Sequence, residues 1–316
     1  MILVTGGLGF IGSHTVVALQ ENGYDVVIVD DLSNSSIDVI DGIEASSGIR
    51  PLFEEMNLQN SIALSSLFQK HTIKGIIHFA AFKAVGESIQ KPVAYYQNNL
   101  GSLLNLLAEV EKAASPIPFI FSSSCTVYGE AKELPITENA PIQSAKSPYG
   151  NTKQIGEEIL SDTVHAIDGF RVISLRYFNP IGAHSSIAIG ESPLGRPQNL
   201  VPIITQTAAG IFPELTVFGN DYPTADGTNI RDYIHVMDLA EAHVVALERV
   251  IEGKNNDAYE VFNLGTGKGS SVLEVIQSFE RISGKKLSYI STIYLLIVHS
   301  FISNDNTIII IIRIEF

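Results

Sequence analysis

At 316 residues with a net charge of −14 and one cysteine, the chain fits one large α/β domain or a domain with a smaller lobe. A chain of this size buries roughly three quarters of its unfolded surface, so it needs no disulfide or metal staple; Cys125 alone cannot close an internal disulfide and suits a reducing compartment. The acidic balance excludes broad nucleic-acid binding, which needs a basic face. MILVTGG opens directly on a strand, with no basic leader or cleavage site, so a cytoplasmic protein is expected.

In chain order, ILV (2–4) and DVVIVD (25–30) read as strands buried on both faces, with an amphipathic helix over about 10–22 between them. IIHFA (76–80) is a later strand, LGSLLNLLAEVEKAA the helix after it, and FIFSSS (119–124) the next strand. Repeated β-α-β predicts a parallel, doubly wound sheet. From about 180 the texture changes: NPIGAHSS, SPLGRPQN and GNDYPTADGT separate short elements, as in a smaller lobe.

TGGLGFIGSH places Gly6, Gly9 and Gly12 in a G-x-x-G-x-x-G frame between a strand and a helix. Such a turn brings backbone N–H groups against a pyrophosphate, whose charge the helix N-terminus favours, and a side chain at Gly6 or Gly9 would hold the phosphates off. The bland alternative is a glycine-rich turn. Asp30, at the end of the next strand, decides against it: an acid there accepts from both ribose hydroxyls and repels a 2′-phosphate, favouring NAD over NADP.

SPYGNTKQ sets Tyr149 and Lys153 four apart on a predicted helix, hence on one face. An ammonium about 5 Å away at an effective dielectric of about 20 favours the phenolate by roughly 3 kcal/mol, about two pKa units. The phenolate then removes a hydroxyl proton. Y-x-x-x-K alone is common on surfaces, but Ser124, ending FIFSSS, can share that proton. With the glycine frame, this Ser/Tyr/Lys set resembles that of the extended short-chain dehydrogenases/reductases.

The resemblance then narrows. TGGLGFIGSHT, HFAAFKAVGESIQKP, FSSSCTVYGE, SPYGNTK, LRYFNPIGAH, PQNLVP, FGNDYPTADGT, IRDYIHVMDLA and FNLGTGKGSSVLEV follow, in order, the motifs of the UDP-glucose 4-epimerases. The resemblance implies a Rossmann-type α/β fold with a smaller C-terminal substrate-binding lobe. Residues 1–178 would bind NAD, with about 231–262 returning to that domain, and 179–289 would form the lobe. It implies interconversion of UDP-galactose and UDP-glucose on a tightly held NAD, C4 passing through a ketone, and a homodimer formed through two helices of the NAD domain. Phe10, Ile11, Asp30, Asp31, Leu32, Ser33, Asn34 and Ser35 match cofactor contacts, as do Leu58, Phe79, Ala80, Ala81, Phe82, Lys83, Asn98 and Phe178. Tyr149 and Lys153 serve both cofactor and chemistry, and Lys83 lies between cofactor and substrate. Tyr177, Asn179, Asn199, Leu200, Phe218 and Arg231 match residues around the UDP-sugar, with Ser124 and Tyr149 at the sugar. Arg231 suits a pyrophosphate oxygen and Phe218 an apolar wall beside uracil. Read without the family, Phe218 is a core residue and Arg231 a surface partner of Asp232. One departure is Asn57, where the family usually has an acid meeting the adenine amine; an asparagine carbonyl still accepts that bond.

The remaining residues take plainer readings. His78 and His235 are structural histidines, AEAHVVALERVIEG is a core helix, and the eight histidines lack metal-binding spacing, so no metal is expected. A 4,6-dehydratase would need an acid after Ser124, where Cys125 and Thr126 stand. A carbonyl reductase would release its cofactor each cycle, and a non-catalytic nucleotide sensor would not need an intact Ser124, Tyr149 and Lys153. The resemblance stops near Tyr289. Ten of the residues from 290 to 316 are isoleucine, five of them consecutive. IYLLIVHSFI and IIIIIRI are each too short to span a membrane, for which about twenty residues are needed; a hairpin around SNDNT is the structural alternative. The tail reads as a coding disruption that removes family contacts to the diphosphate. The alternative function is therefore a damaged epimerase that keeps NAD, has weak activity and is poorly soluble.

Overall fold

The structure is a computed structural model describing residues 1–131, 133–292, 297–302 and 308–313, the last two as backbone alone. The chain opens with β1 (Ile2–Thr5), α1 (Phe10–Glu21), β2 (Val26–Asp30), α2 (Val39–Ser47), β3 (Leu52–Glu55), α3 (Ser61–Lys70) and β4 (Gly75–His78). It continues through α4 (Val85–Gln90), α5 (Pro92–Lys112), β5 (Phe119–Ser124), α6 (Pro148–Ala166), β6 (Val172–Tyr177) and β7 (Asn179–Ile181). Then come α7 (Leu200–Ala208), β8 (Leu215–Phe218), β9 (Ile230–His235), α8 (Val236–Ile251) and β10 (Tyr259–Leu264). The last elements are β11 (Gly269–Ser271), α9 (Val272–Ser283), β12 (Tyr289–Thr292), β13 (Ile297–Ile302) and β14 (Ile308–Arg313).

Seven strands form one parallel sheet in the order β10-β6-β5-β4-β1-β2-β3. The order reverses between β1 and β4. Connections leave to opposite faces there and open a crevice at the strands' carboxyl ends, where α/β sheets of this kind take ligands. Consecutive strand residues face opposite layers. Ile2, Val4, Ile28 and Ile77 pack with α1 and α8 residues such as Val16, Val17, Val244 and Leu247. Leu3, Val27, Val29 and Ile76 pack with Leu103, Leu106 and Leu160 of α5 and α6. Both faces are covered, which is why these strands are continuous apolar runs; each fully buried side chain contributes about 1.5–3 kcal/mol.

Helix ends follow local chemistry. Ser147 accepts from Gly150 N–H at 3.1 Å, with Pro148 in the first turn of α6. Ser271 and Glu274 form a reciprocal capping box on α9, which ends at Gly284 in the left-handed conformation.

The chain divides into two compact units: Met1–Arg196 with Asp232–Lys268, and Pro197–Arg231 with the described residues from Gly269 on. In the second, Ile204, Leu215, Val217, Ile276 and Leu287 make a small core, and β12 pairs in parallel with β8, Tyr289 opposite Leu215 and Thr292 opposite Phe218. Residues 290–292 of the tail therefore belong to a strand pair, and β13 and β14 pair antiparallel, Ile302 opposite Ile308. Residues 293–296, 303–307 and 314–316 lie outside the described residues. Among the described residues no helix is long and apolar enough to cross a membrane.

Candidate active site

The loop between β1 and α1 is built around its glycines. Gly6 has φ of 69°, and a Cβ there would meet Ala80 N at 2.8 Å. A Cβ on Gly12 would lie 2.2 Å from the Gly6 carbonyl oxygen, so this glycine lets α1 close onto the loop. Gly9 differs: its only near neighbour is the Gly6 oxygen at 3.2 Å. Gly9 caps α1 without a side-chain bond, and the first turn holds no acid. The result is an open helix N-terminus with free space beside it, which fits a dinucleotide pyrophosphate.

Asp30 ends β2 and ties the cleft together. Its Oδ2 accepts from Leu8 N–H at 3.1 Å; its Oδ1 accepts from Leu32 N–H at 3.0 Å and Ser35 Oγ at 2.8 Å. Leu32 holds φ of 57° in this turn. Lone pairs remain on Oδ2 for a ribose hydroxyl. Asp31 accepts from Ser33 N–H at 3.0 Å and from Asn57 Nδ2 at 2.8 Å, while Asn57 Oδ1 accepts from Gln59 N–H at 2.9 Å. One lone pair is left on that carbonyl for a nucleobase amine, and the amide N–H satisfies one Asp31 oxygen. Leu58 points into the core, and Asn34 is exposed.

Across the crevice, Phe79 packs on His243 with centroids 4.7 Å apart and Phe82 on Tyr95 at 5.5 Å. Phe79 and Ala80 lie just beyond β4, which ends at His78, shorter than the predicted strand. Asn99 Oδ1 accepts from Phe82 N–H at 2.8 Å and from Asn98 Nδ2 at 3.1 Å. Lys83 is half-exposed, 3.7 Å from Glu191 Oε1. Phe178 lies against Gly265, where a Cβ would meet its ring at 2.8 Å.

Tyr149 and Lys153 come together one turn apart in α6, the Lys153 Nζ 6.0 Å from the Tyr149 ring centroid and 4.9 Å from that of Phe121. Ser124, whose Oγ accepts from Thr126 N–H at 3.2 Å, neighbours the Tyr149 hydroxyl. Lys153 donates to the Ser122 carbonyl at 2.6 Å and is buried. The electrostatics differ from the sequence expectation. Burial pushes Tyr149 up to about 12, with the Ser124 hydrogen bond opposing. Burial pulls Lys153 down to about 8, with Glu157 opposing. A charge pair some 6 Å apart is worth about two pKa units at best, whereas full burial moves a group by up to about 3–5, so desolvation wins. Tyr177 is buried in β6 with its hydroxyl on Ser122 Oγ, beneath the site. Asn179 begins β7, opposite Tyr233.

In the second unit, Asn199 precedes Leu200 at the start of α7. Phe218 is 68% exposed at the end of β8, which corrects the reading of it as core. Arg231 donates to Asn229 Oδ1 at 2.6 Å rather than serving a surface pair. In the first unit, Asp232 accepts from Thr266 N–H and Gly267 N–H, Oδ2 at 3.0 and 2.8 Å. His78 is a structural histidine, its Nδ1 2.7 Å from Thr5 Oγ1. Two buried charges escaped the sequence reading, Glu157 and Arg176, although Tyr149, Lys153 and Glu157 share one four-residue spacing.

Residues 2–265 match the NAD dependent epimerase/dehydratase family. A UDP-glucose 4-epimerase of Erwinia amylovora is 51% identical over 290 residues, 91% of this chain and 84% of the relative. UDP-glucose 4-epimerase 2 of Arabidopsis thaliana is 50% identical over 90% of this chain and 81% of the relative. Among solved structures, the Stenotrophomonas maltophila UDP-glucose-4-epimerase with bound NAD and formylated UDP-arabinopyranose superposes with a TM-score of 0.88 at 44% identity, covering 92% of this chain and 85% of that one. The Bifidobacterium longum enzyme in complex with NAD+ and UDP gives 0.87 at 44% identity, covering 92% and 86%. With its glycine loop, parallel sheet and Ser/Tyr/Lys set, the chain belongs to the NAD dependent epimerase/dehydratase family, and within it to the UDP-glucose 4-epimerases.

Proposed function

We infer that this chain interconverts UDP-galactose and UDP-glucose by NAD-dependent epimerisation at C4 through a transient 4-keto sugar. The observation that carries the reading is the Ser124–Tyr149–Lys153 set at the carboxyl end of β5, in a chain half identical to UDP-glucose 4-epimerases. When bound, NAD supplies a two-electron acceptor and then donor. Gly6, Gly9 and Gly12 with Phe10 and Ile11 would hold its pyrophosphate, and Asp30 its ribose. Tyr149 would first give up its own proton to solvent; as the phenolate, which the Lys153 ammonium favours, it would take the proton of the sugar 4-hydroxyl and return it, with Ser124 sharing that proton. In the second unit Phe218 offers an exposed ring to uracil and Arg231 a guanidinium to the diphosphate.

Cys125 and Thr126 after Ser124 disfavour dehydration. A damaged enzyme is not favoured, given identity extending over 290 residues and a complete catalytic set. A homodimer is proposed through α5 and α6, where Val93 and Leu104 of α5 are 65% and 50% exposed, and a cytoplasmic location is proposed with it. The test is to purify the chain, measure NAD by absorbance after denaturation and assay UDP-galactose turnover. Bound NAD with turnover is expected. Bound NAD without turnover would favour the damaged enzyme, and loss of both would sink the reading.

A further inference from the structure

Helix α6 presents Tyr149, Lys153 and Glu157 at four-residue spacing, and β5 ends in Ser122, Ser123 and Ser124. The two rows engage one to one. Ser124 neighbours the Tyr149 hydroxyl, the Ser122 carbonyl accepts from Lys153 at 2.6 Å, and the Ser123 hydroxyl donates to Glu157 Oε1 at 2.5 Å. Glu157 is only 4% exposed, and a carboxylate so buried is strongly unfavourable unless paired. Arg176, opposite Ser123 in the β5–β6 register, pairs it with two hydrogen bonds, Nε to Oε1 at 2.9 Å and Nη2 to Oε2 at 2.5 Å. Arg176 Nη1 also donates to the Tyr128 hydroxyl at 2.9 Å, which donates to Asn263 Oδ1 at 2.6 Å.

We propose that Glu157 is a positioning residue for the Tyr149–Lys153 couple, keeping the Lys153 ammonium charged and in register within a dry site. This rests on the chemistry proposed above for those two residues, and Glu157 reaches the reacting groups only through Lys153. The surrounding groups leave it that part. On β4, His78 is neutral, pulled down to about 3 by burial and then by Lys153 itself. On β6, Arg176 is committed to Glu157, and Tyr177 is pushed up by burial, so it stays neutral. Tyr259 on β10 faces Glu157 and is likewise held neutral. Cys125 acts on Tyr149, and Tyr149 in turn acts on Tyr95 of α5. Against the burial that lowers Lys153, the opposing influence is the Glu157 carboxylate.

Without the carboxylate, Lys153 loses its proton at lower pH, so the charged couple disappears earlier as pH rises. In Glu157→Gln, the midpoint of the Lys153 titration, followed by NMR of 13C-labelled lysine in NAD-loaded protein, should drop by about one unit. Epimerase kcat should stay near wild type at about pH 6 and fall about tenfold at about pH 9, with KM for UDP-galactose unchanged. The double variant Glu157→Gln/Arg176→Gln strands no guanidinium and should shift the midpoint in the same direction, so it decides the matter if the single variant does not fold. An unshifted midpoint, with kcat lowered equally at every pH, makes Glu157 a mere brace and overturns the proposal. A wild-type chain without turnover would overturn the proposed function instead, while the lysine titration still decides the part of Glu157.

Discussion

Tyr149 and Lys153 are held together against the preference of both charges for water. Burial raises one and lowers the other, so the free site rests with a neutral phenol, and Lys153 titrates near the pH at which the enzyme would work. Tyr149→Phe keeps the ring but removes the proton acceptor; turnover should fall about 10²- to 10⁴-fold with NAD content nearly unchanged. Loss of NAD in parallel would assign Tyr149 to binding instead. A second residue stands out for its backbone. Ile187 is β-branched, 92% exposed and held at φ of 60°. That conformation costs an L-residue about 1–2 kcal/mol, more than glycine loses in chain entropy. Ile187→Gly should therefore stabilise the protein by about 1 kcal/mol in urea melts. A lower midpoint would show that the isoleucine side chain contributes contacts worth more than the strain.

At the scale of the element, the β1–α1 turn separates two jobs that its glycines share in the sequence pattern. A methyl on Gly12 collides with the Gly6 carbonyl and must push α1 away from the sheet. A methyl on Gly9 meets little protein and projects where a pyrophosphate would lie. Gly12→Ala should lower both thermal stability and NAD retention, and Gly9→Ala should lower NAD retention at nearly wild-type Tm. Equal loss of Tm in both would mean that the loop, rather than the cofactor, needs Gly9. Asp30 shows the same division between what the chain and the fold decide. A strand-terminal acid is read from where the continuous apolar run of β2 ends, but its bonds to Leu8 and Leu32 depend on the loop folding back onto it.

At the scale of the whole molecule, three histidines among the described residues are buried without charge. Burial pulls His14 and His243 down to about 4 and His78 to about 3. His14 and His243 leave Nε2 without a partner, so a proton there would sit unsolvated in the core. In the unfolded chain each titrates near 6.5, so the unfolded state binds more protons from about pH 6.5 down to about 4 for His14 and His243 and to about 3 for His78. Stability is full above that window and lost on acidification, by up to about 2 kcal/mol for each histidine at pH 5. Urea midpoints at pH 7 and pH 5 measure this; equal midpoints would mean that the rings are hydrated or already charged.

The sequence by itself determined the parallel α/β order, the glycine turn, Asp30 and the Ser/Tyr/Lys set, because strand and helix periodicity and short spacings are local properties of the chain. Only the reading of Phe218 without the family places it in the core, for the same reason: hydrophobicity is local, but exposure at the end of β8 depends on what packs beside it. Only the tertiary structure decided that burial outweighs the Lys153 charge at Tyr149, and that Ser123, Glu157 and Arg176 close a buried network behind them. Desolvation and pairing across strands depend on residues distant in sequence, and no spacing along the chain reports how dry a site will be.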